Sequence, residues 1–202
     1  MTSSQTPRRT QADRTQKRKE QVIREATRLF AQYGYRGAKL SDIAKAAELT
    51  EPGLLHHFPS KAHLLTGVLE ERDRADRERF YPTLHDEHAN LLASLEALVE
   101  HNETVPGLVK LFTVLVTESI TPEHPGHEFF VRRYHNLRDQ MTETLQKAQE
   151  QGEIRADIGP DELAVMVFAL MDGLQIQWLL DPDQVQMAKV FSAFVRLLRV
   201  PG

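Results

Sequence analysis

The sequence contains no cysteine. Disulfides, thiolate metal sites and cysteine nucleophiles are therefore excluded, and a reducing cytoplasm is the default compartment. No run of apolar residues approaches the roughly 18 needed to cross a membrane, so no membrane partner is expected. The opening "MTSSQTPRRTQADRTQKRKE" is basic and polar and lacks the apolar h-region of a secretory signal. No phosphate-cradling glycine loop occurs, and neither Ser119 nor Ser192 sits in an elbow motif that would make it a nucleophile. Strand alternation, internal repeats and low-complexity tracts are also missing. These absences leave no cofactor to expect and weigh against an enzyme.

What is present is an ordinary globular composition. The 202 residues are 41% hydrophobic and 27% charged, enough for a real core in one medium domain, or in a small domain attached to a larger one. The net charge of −4 hides an asymmetry. Residues 1–61 hold twelve lysines and arginines against six acids, whereas residues 62–202 carry a surplus of ten negative charges. A basic front on an acidic body suggests that only the front meets a polyanion. The plainer alternative is a solvated basic tail.

Every strong periodic signal is helical, so the expected fold class is all-α with about nine helices. Ile23, Ala26, Leu29, Phe30 and Tyr33 form one stripe, which Gly34 stops. "KLSDIAKAAELT" gives a short second helix with Leu40, Ile43, Ala44 and Ala47 inward. Thr50 then caps a third, with Pro52 in its first turn, where a missing N–H costs little. Pro59 ends it, and Ser60 caps a fourth helix from about Lys61 toward Phe80. Pro82 is expected to start a fifth, bearing Leu91, Leu92, Leu95, Leu98 and Val99. Pro106 opens an apolar sixth helix. A long amphipathic helix runs from about His127 to Gln151, another begins at Pro160, and Asp181-Pro182 reads as cap and first residue of the last.

Two short helices joined by "AEL" fit a helix-turn-helix, whose second helix enters the DNA major groove. Leu54 and Phe58 would anchor that helix, and Glu51, Pro52, Gly53, Leu55 and His56 would face outward. The stretch "VIREATRLFAQYGYRGAKLSDIAKAAELTEPGLLHHFPSKAHLL" resembles the DNA-binding domain of the TetR family of transcriptional repressors. The likeness is gapless over about residues 20–65 and rests on Ile23, Ala26, Leu29, Phe30, Gly34, Asp42-Ile43-Ala44, Leu49-Thr50, His57-Phe58 and Ser60-Lys61. The later "HPGHEFFVRRYHNLR" and "DGLQIQWLLDPD" also resemble segments of one large group in that family.

The resemblance implies an N-terminal three-helix DNA-binding domain plus a larger helical ligand-binding and dimerisation domain. It divides the chain into a disordered basic arm (1–13), a helix-turn-helix domain (14–62) and a ligand and dimerisation domain (63–202). It further implies a homodimer on a palindromic operator and a small-molecule effector that changes the spacing of the DNA-binding domains. Lys61 matches a phosphate-binding lysine at the start of the fourth helix, and His57 a backbone-contacting histidine. Glu51, Pro52 and His56 match positions facing bases or the adjacent backbone. Lys39, Ser41, Thr50, Gly53 and Leu55 complete the expected DNA face. Two departures stand out. Leu55 replaces a usual tyrosine, and Ala38-Lys39 replace a usual threonine or serine, so that Lys39 offers a less directional phosphate contact.

Alternatives stand beside several of these readings. Taken without the surrounding pattern, His56 and His57 read as a capping or surface pair, and with it as contacts to the DNA backbone; Glu51 reads alternatively as a first-turn acid complementing the helix dipole. His85-x-x-His88 and His124-x-x-His127 have helical metal spacing but no third ligand nearby, so no metal is expected. The helix from Pro160 is apolar nearly all round and must be buried on two sides. Burial against a second copy would use Phe168, Met171, Trp178, Phe191, Phe194 and Leu198; a monomer core is the alternative. An apolar or aromatic effector would meet Phe112, Leu115, Phe129, Phe130, Tyr134, Met166 and Leu170, with Glu118, Arg133 and Gln175 as polar groups. The rival functions are a structural DNA-binding protein without effector and an all-helical metal enzyme.

Overall fold

A computed structural model describes residues 11–84 and 91–200. These form α1 (Gln11–Gly37), α2 (Leu40–Ala46), α3 (Glu51–His57), α4 (Lys61–Leu84), α5 (Leu91–Glu103), α6 (Pro106–Glu118), α7 (His127–Glu150), α8 (Pro160–Leu180) and α9 (Met187–Leu198). Apart from one antiparallel bridge between Ile154 and Arg199, the described residues are helix, turn or bend. The all-α expectation holds.

Several boundaries differ from the expectation. α1 begins at Gln11, inside the stretch read as arm 1–13, where Ala12 favours helix; residues 1–10 lie outside the described set. Pro82 lies in the last turn of α4 and does not open α5. Asp181-Pro182 does not open α9 either. Asp181 follows α8, and its Oδ1 accepts the Gln184 N–H at 3.3 Å in an Asx turn that delays α9 to Met187. His85 and His88 fall outside the described residues.

Two cores organise the helices. The front core joins Ala26, Phe30, Ile43, Leu54 and Phe58 to Leu64, Leu65 and Leu69 of α4, and then to Leu111, Leu115 and Phe130. The boundary drawn at residue 62 therefore falls inside α4, whose first turns belong to the front core. Val22 is fully buried where Ile23 is only half-buried, and Tyr33, expected on the inward stripe, is exposed. The second core gathers Leu92, Leu95, Met141, Leu145, Leu163, Val167 and Phe191 from α5, α7, α8 and α9.

The helix-turn-helix has its own closure. Leu49 N–H reaches Ala44 O at 2.8 Å and Glu48 N–H reaches Lys45 O at 3.1 Å, the paired bonds of a Schellman motif. The motif needs a left-handed residue after the helix, and Glu48 supplies it at φ 56°. A side chain there costs about 1–2 kcal/mol. Glu48→Gly should therefore stabilise the chain by about 1 kcal/mol, read as a raised urea midpoint with unchanged slope. An unchanged or lowered midpoint would show that the Glu48 side chain compensates for its own strain.

Candidate DNA interface and effector cavity

The third helix is built to show its first turn. Thr50 Oγ1 accepts the Gly53 N–H at 3.2 Å and so caps α3. Leu54 is fully buried and Phe58 nearly so, which seats α3 on α1 and α4. Burying a leucine contributes about 1.5–3 kcal/mol, enough to hold a two-turn helix that could not form alone. Glu51, Pro52 and His56 are exposed, and Gly53, Leu55 and His57 half-buried. On α2, Lys39 occupies the cap position without a side-chain bond, and Ser41 is exposed beside it. The His56 and His57 rings meet edge-on at 5.6 Å. Burial, followed by the charges of His56, Lys19 and Arg18, holds His57 below the usual histidine pKa. It therefore sits within a cationic cluster. Lys61 Nζ donates to Arg36 O at 3.2 Å and lies 4.8 Å over the Tyr35 ring, so it also ties α4 to the end of α1.

Behind this face lies a polar joint between the end of α1 and the end of α6. Gly34, at φ 69° and ψ 173°, breaks α1. Tyr35 N–H beyond the break donates to Glu118 Oε2 at 3.3 Å. A Cβ on Gly34 would stand 3.1 Å from Glu118 Oε1. His124 closes the joint, packing edge-on against Tyr35 at 5.0 Å. Its Nδ1 receives the Gly126 N–H at 3.1 Å and faces Ser119 Oγ at 2.8 Å. His127 Nδ1 is 2.8 Å from Ser119 O. The second histidine pair is thus engaged in turn chemistry. Among the described residues no cluster of three or more His, Asp or Glu could hold a metal.

A cavity of about 270 Å³ opens between α4, α5, α6, α7 and α8. Phe112, Arg133, Tyr134 and Gln175 line it as expected. The other six expected residues do not. Leu115 and Phe130 are consumed by the front core, with Phe129 packed against it. Glu118 serves the joint, Leu170 packs on the second core, and Met166 is exposed. In their place the wall uses Arg72 and Asp73 of α4, Asn102 of α5, Thr113 of α6 and Asp172 of α8. Asp172, the one acid of α8 beyond its first turn, was a legible signal; nothing in the charged run of α4 singled out Arg72 and Asp73.

The polar groups of the wall pair with one another. Arg133 Nε donates to Asp73 Oδ1 at 2.6 Å, and Tyr134 OH to Asp172 Oδ2 at 2.6 Å. The Arg72 and Arg133 guanidiniums lie 5.4 and 5.6 Å from the Phe112 ring centre. Burial raises the Asp172 pKa, against the opposing effects of the Tyr134 hydrogen bond and the Arg133 charge; burial, followed by the Asp172 charge, raises that of Tyr134.

The residues expected at a dimer interface are drawn to different degrees into the single chain. Phe191 and Leu198 are buried within the single chain, and Trp178 and Phe194 pack against the same core. Phe168 and Met171 line the cavity. The largest side chains of α8 and α9 turn inward because the second core needs their volume. What remains outside is Val165, Met166, Ile176 and Leu180 on α8 and Val190 and Leu197 on α9, with Leu180 81% and Leu197 70% exposed. By length and hydropathy α8 also matches a membrane span, with only 33% of that window buried. Reading uninterrupted apolar runs missed this because acids and glutamines punctuate the helix.

A helix-turn-helix backed by a helical domain with an internal cavity defines a class, the one-component DNA-binding regulators. Residues 22–68 match the family of bacterial regulatory proteins described as tetR, and residues 87–199 match the C-terminal region of BetI-type transcriptional repressors. The chain belongs to the TetR family and is a DNA-binding transcriptional regulator with a C-terminal region of the BetI-repressor type. It is 27% identical to the transcriptional regulator TtgR of Pseudomonas putida, over 87% of this chain and 86% of that one. It is 25% identical to the probable acrEF/envCD operon repressor of Escherichia coli (strain K12), over 93% and 87%. Among solved structures, a transcriptional regulator from Saccharomonospora viridis in complex with choline superposes with a TM-score of 0.79 at 26% identity, covering 93% of this chain and all of that one.

The joint should be acid-sensitive. Burial lowers the His124 pKa most, with Glu118 opposing and Arg36 assisting. Protonation of Nδ1 would also cost the Gly126 hydrogen bond. The unfolded chain thus takes up the proton first as pH falls. The contribution is complete above the unfolded pKa of about 6.5 and declines as pH drops through the lower folded value. His124→Asn should flatten the fall of stability below about pH 6.5, measured by urea unfolding across pH. An identical pH profile in the variant would remove His124 from the account.

Proposed function

We propose that the chain works as a cytoplasmic homodimer that reads a palindromic operator through α2 and α3 and is released by a small apolar or aromatic effector held in the α4–α8 cavity. The role is regulatory rather than catalytic. The observation that carries the reading is α4 itself. Its first residue, Lys61, joins the DNA-binding end, and Arg72 and Asp73, some three turns along, form cavity wall. At 1.5 Å per residue the two are about 17 Å apart on one rigid element. An effector with different affinities for two settings of α4 would shift the spacing of the recognition helices. The choline-bound neighbour and the operon repressors among the relatives support this logic.

In the dimer, Met166, Ile176 and Leu180 of α8 with Leu197 of α9 would meet their counterparts across a two-fold axis. Charge reversal of the interface is best tested at exposed positions. Leu197→Glu combined with Leu180→Glu, two like charges at exposed positions, should sediment as a folded monomer with normal helical content and lost operator affinity. Phe191→Glu should instead unfold, because Phe191 is core. A normal dimer from the double variant would place the interface elsewhere.

At the DNA face, Lys61 and Lys39 would serve phosphates and Glu51 a base edge. A carboxylate facing a polyanion is repelled unless it accepts a hydrogen bond, and cytosine N4 offers one worth about 1–3 kcal/mol of discrimination. Glu51→Ala should relax one base pair per half-site in a selection experiment and leave general affinity equal or higher. An unchanged selected motif would make Glu51 a helix-dipole partner only.

A further inference from the structure

Two polar atoms on the cavity wall have no hydrogen-bond partner although they are buried: Asn102 Oδ1 and Thr113 Oγ1. Asn102 is 5% exposed, at the end of α5. Thr113 differs from four other helical threonines of this chain. Thr27, Thr66, Thr117 and Thr144 each turn their hydroxyl back to the carbonyl four residues earlier, at 2.7, 3.2, 2.8 and 2.8 Å. The Thr113 hydroxyl forgoes that bond. A buried polar group left unsatisfied is costly, and natural proteins keep few.

The charged groups around the same space present the opposite picture. Asp73 holds Arg133, Asp172 holds Tyr134, and Arg72 lies over Phe112. A charged ligand would compete with these pairs for the same partners in a partly buried site. An uncharged polar group would disturb none of them.

We propose that the effector is an uncharged molecule with an apolar, ring-sized body and a hydroxyl or amide that hydrogen-bonds Asn102 and Thr113. The proposal rests on the reading of this cavity as the effector site. The body packs on Phe112, Val116, Phe168 and Met171, all of which line the cavity. The polar group both gives and accepts, so it suits the Thr113 hydroxyl and either orientation of the Asn102 amide. Selectivity then comes from unmade bonds: an analogue without the hydroxyl leaves the buried pair unsatisfied again.

Four biphenyl probes of equal body test this by calorimetric titration of the full chain: biphenyl-4-ol, biphenyl, biphenyl-4-carboxylate and the trimethylammonium derivative. Biphenyl-4-ol should bind about tenfold or more tightly than each of the others. Thr113→Val, which keeps shape and removes the hydroxyl, should lower the affinity for biphenyl-4-ol toward that for biphenyl and leave biphenyl itself unchanged. The same variant should raise the melting temperature of the ligand-free protein, because an orphaned hydroxyl is gone. Asn102→Leu should act in the same direction on the probes; if it does not fold, Thr113→Val decides alone. Equal binding of biphenyl and biphenyl-4-ol would overturn the proposal and keep the cavity as an apolar effector site. Tightest binding of the ammonium or carboxylate probe would overturn it in favour of Asp172 or the two arginines. Failure of all four to bind would overturn both the proposal and the reading of the cavity beneath it.

Discussion

The bond between Tyr35 N–H and the Glu118 carboxylate ties the end of α1 to the end of α6 where the first helix breaks. Gly34 makes it possible by entering a backbone region that side chains rarely adopt, and by leaving no Cβ to press on Glu118 at 3.1 Å. Breaking the helix there orphans the amide beyond it, and the carboxylate supplies the missing acceptor. A hydrogen bond to a charged group is worth about 1.5–3 kcal/mol. Lys61 then covers the Arg36 carbonyl and the Tyr35 ring from the start of α4. The end of α1, the start of α4 and the end of α6 thus share one small polar joint at the margin of the apolar front core that already packs the three helices together.

That construction decides how a signal travels. The front core extends into α4, α6 and α7 through Leu64, Leu65, Leu111, Leu115 and Phe130, so a small front domain swinging independently has no mechanical basis here. The movable quantity is the direction of α4, held at one end by Lys61 and at the cavity by Asp73 through Arg133. An occupant of the cavity biases α4 only through interactions that differ between its settings. The wall that faces α4 from α7 is charged, directional and half-buried, which makes it sensitive to small shifts in a way that packed leucines are not.

The helices were legible because period and capping are local properties. Thr50, Pro52, Pro106, Pro160 and Gly152 each mark an end by their own backbone chemistry, and the fold class follows from them. The helix-turn-helix was legible for a further reason: its anchors Leu54 and Phe58 and its exposed first turn lie within one short stretch. The cavity was not. Large apolar residues such as Leu115 and Phe130 look the same in sequence whether they fill a core or line a hole, and packing alone assigned them to the core. Arg72 and Asp73 become wall only because α4 passes α6 and α7 at that level.

The misassigned dimer residues follow from the same ambiguity, and α8 shows why. Leu163, Val167 and Leu174 face the second core, Phe168, Asp172, Gln175 and Ile176 line the cavity, and Met166, Ala169 and Leu180 face outward. With 3.6 residues per turn these are three successive sectors, and together they account for a helix apolar nearly all round. Periodicity could not separate the sectors because each is largely apolar. Size could, read the other way. The aromatics of α9 went inward, and the outward sector keeps aliphatic and small residues, with Gly173 offering open space at its centre. Small residues allow close helix approach, so the outward sector is shaped for another helix rather than for a ligand. On the proposed dimer, the cavity and the partner would then share a single helix, and whatever moves one wall of α8 would be felt at the other.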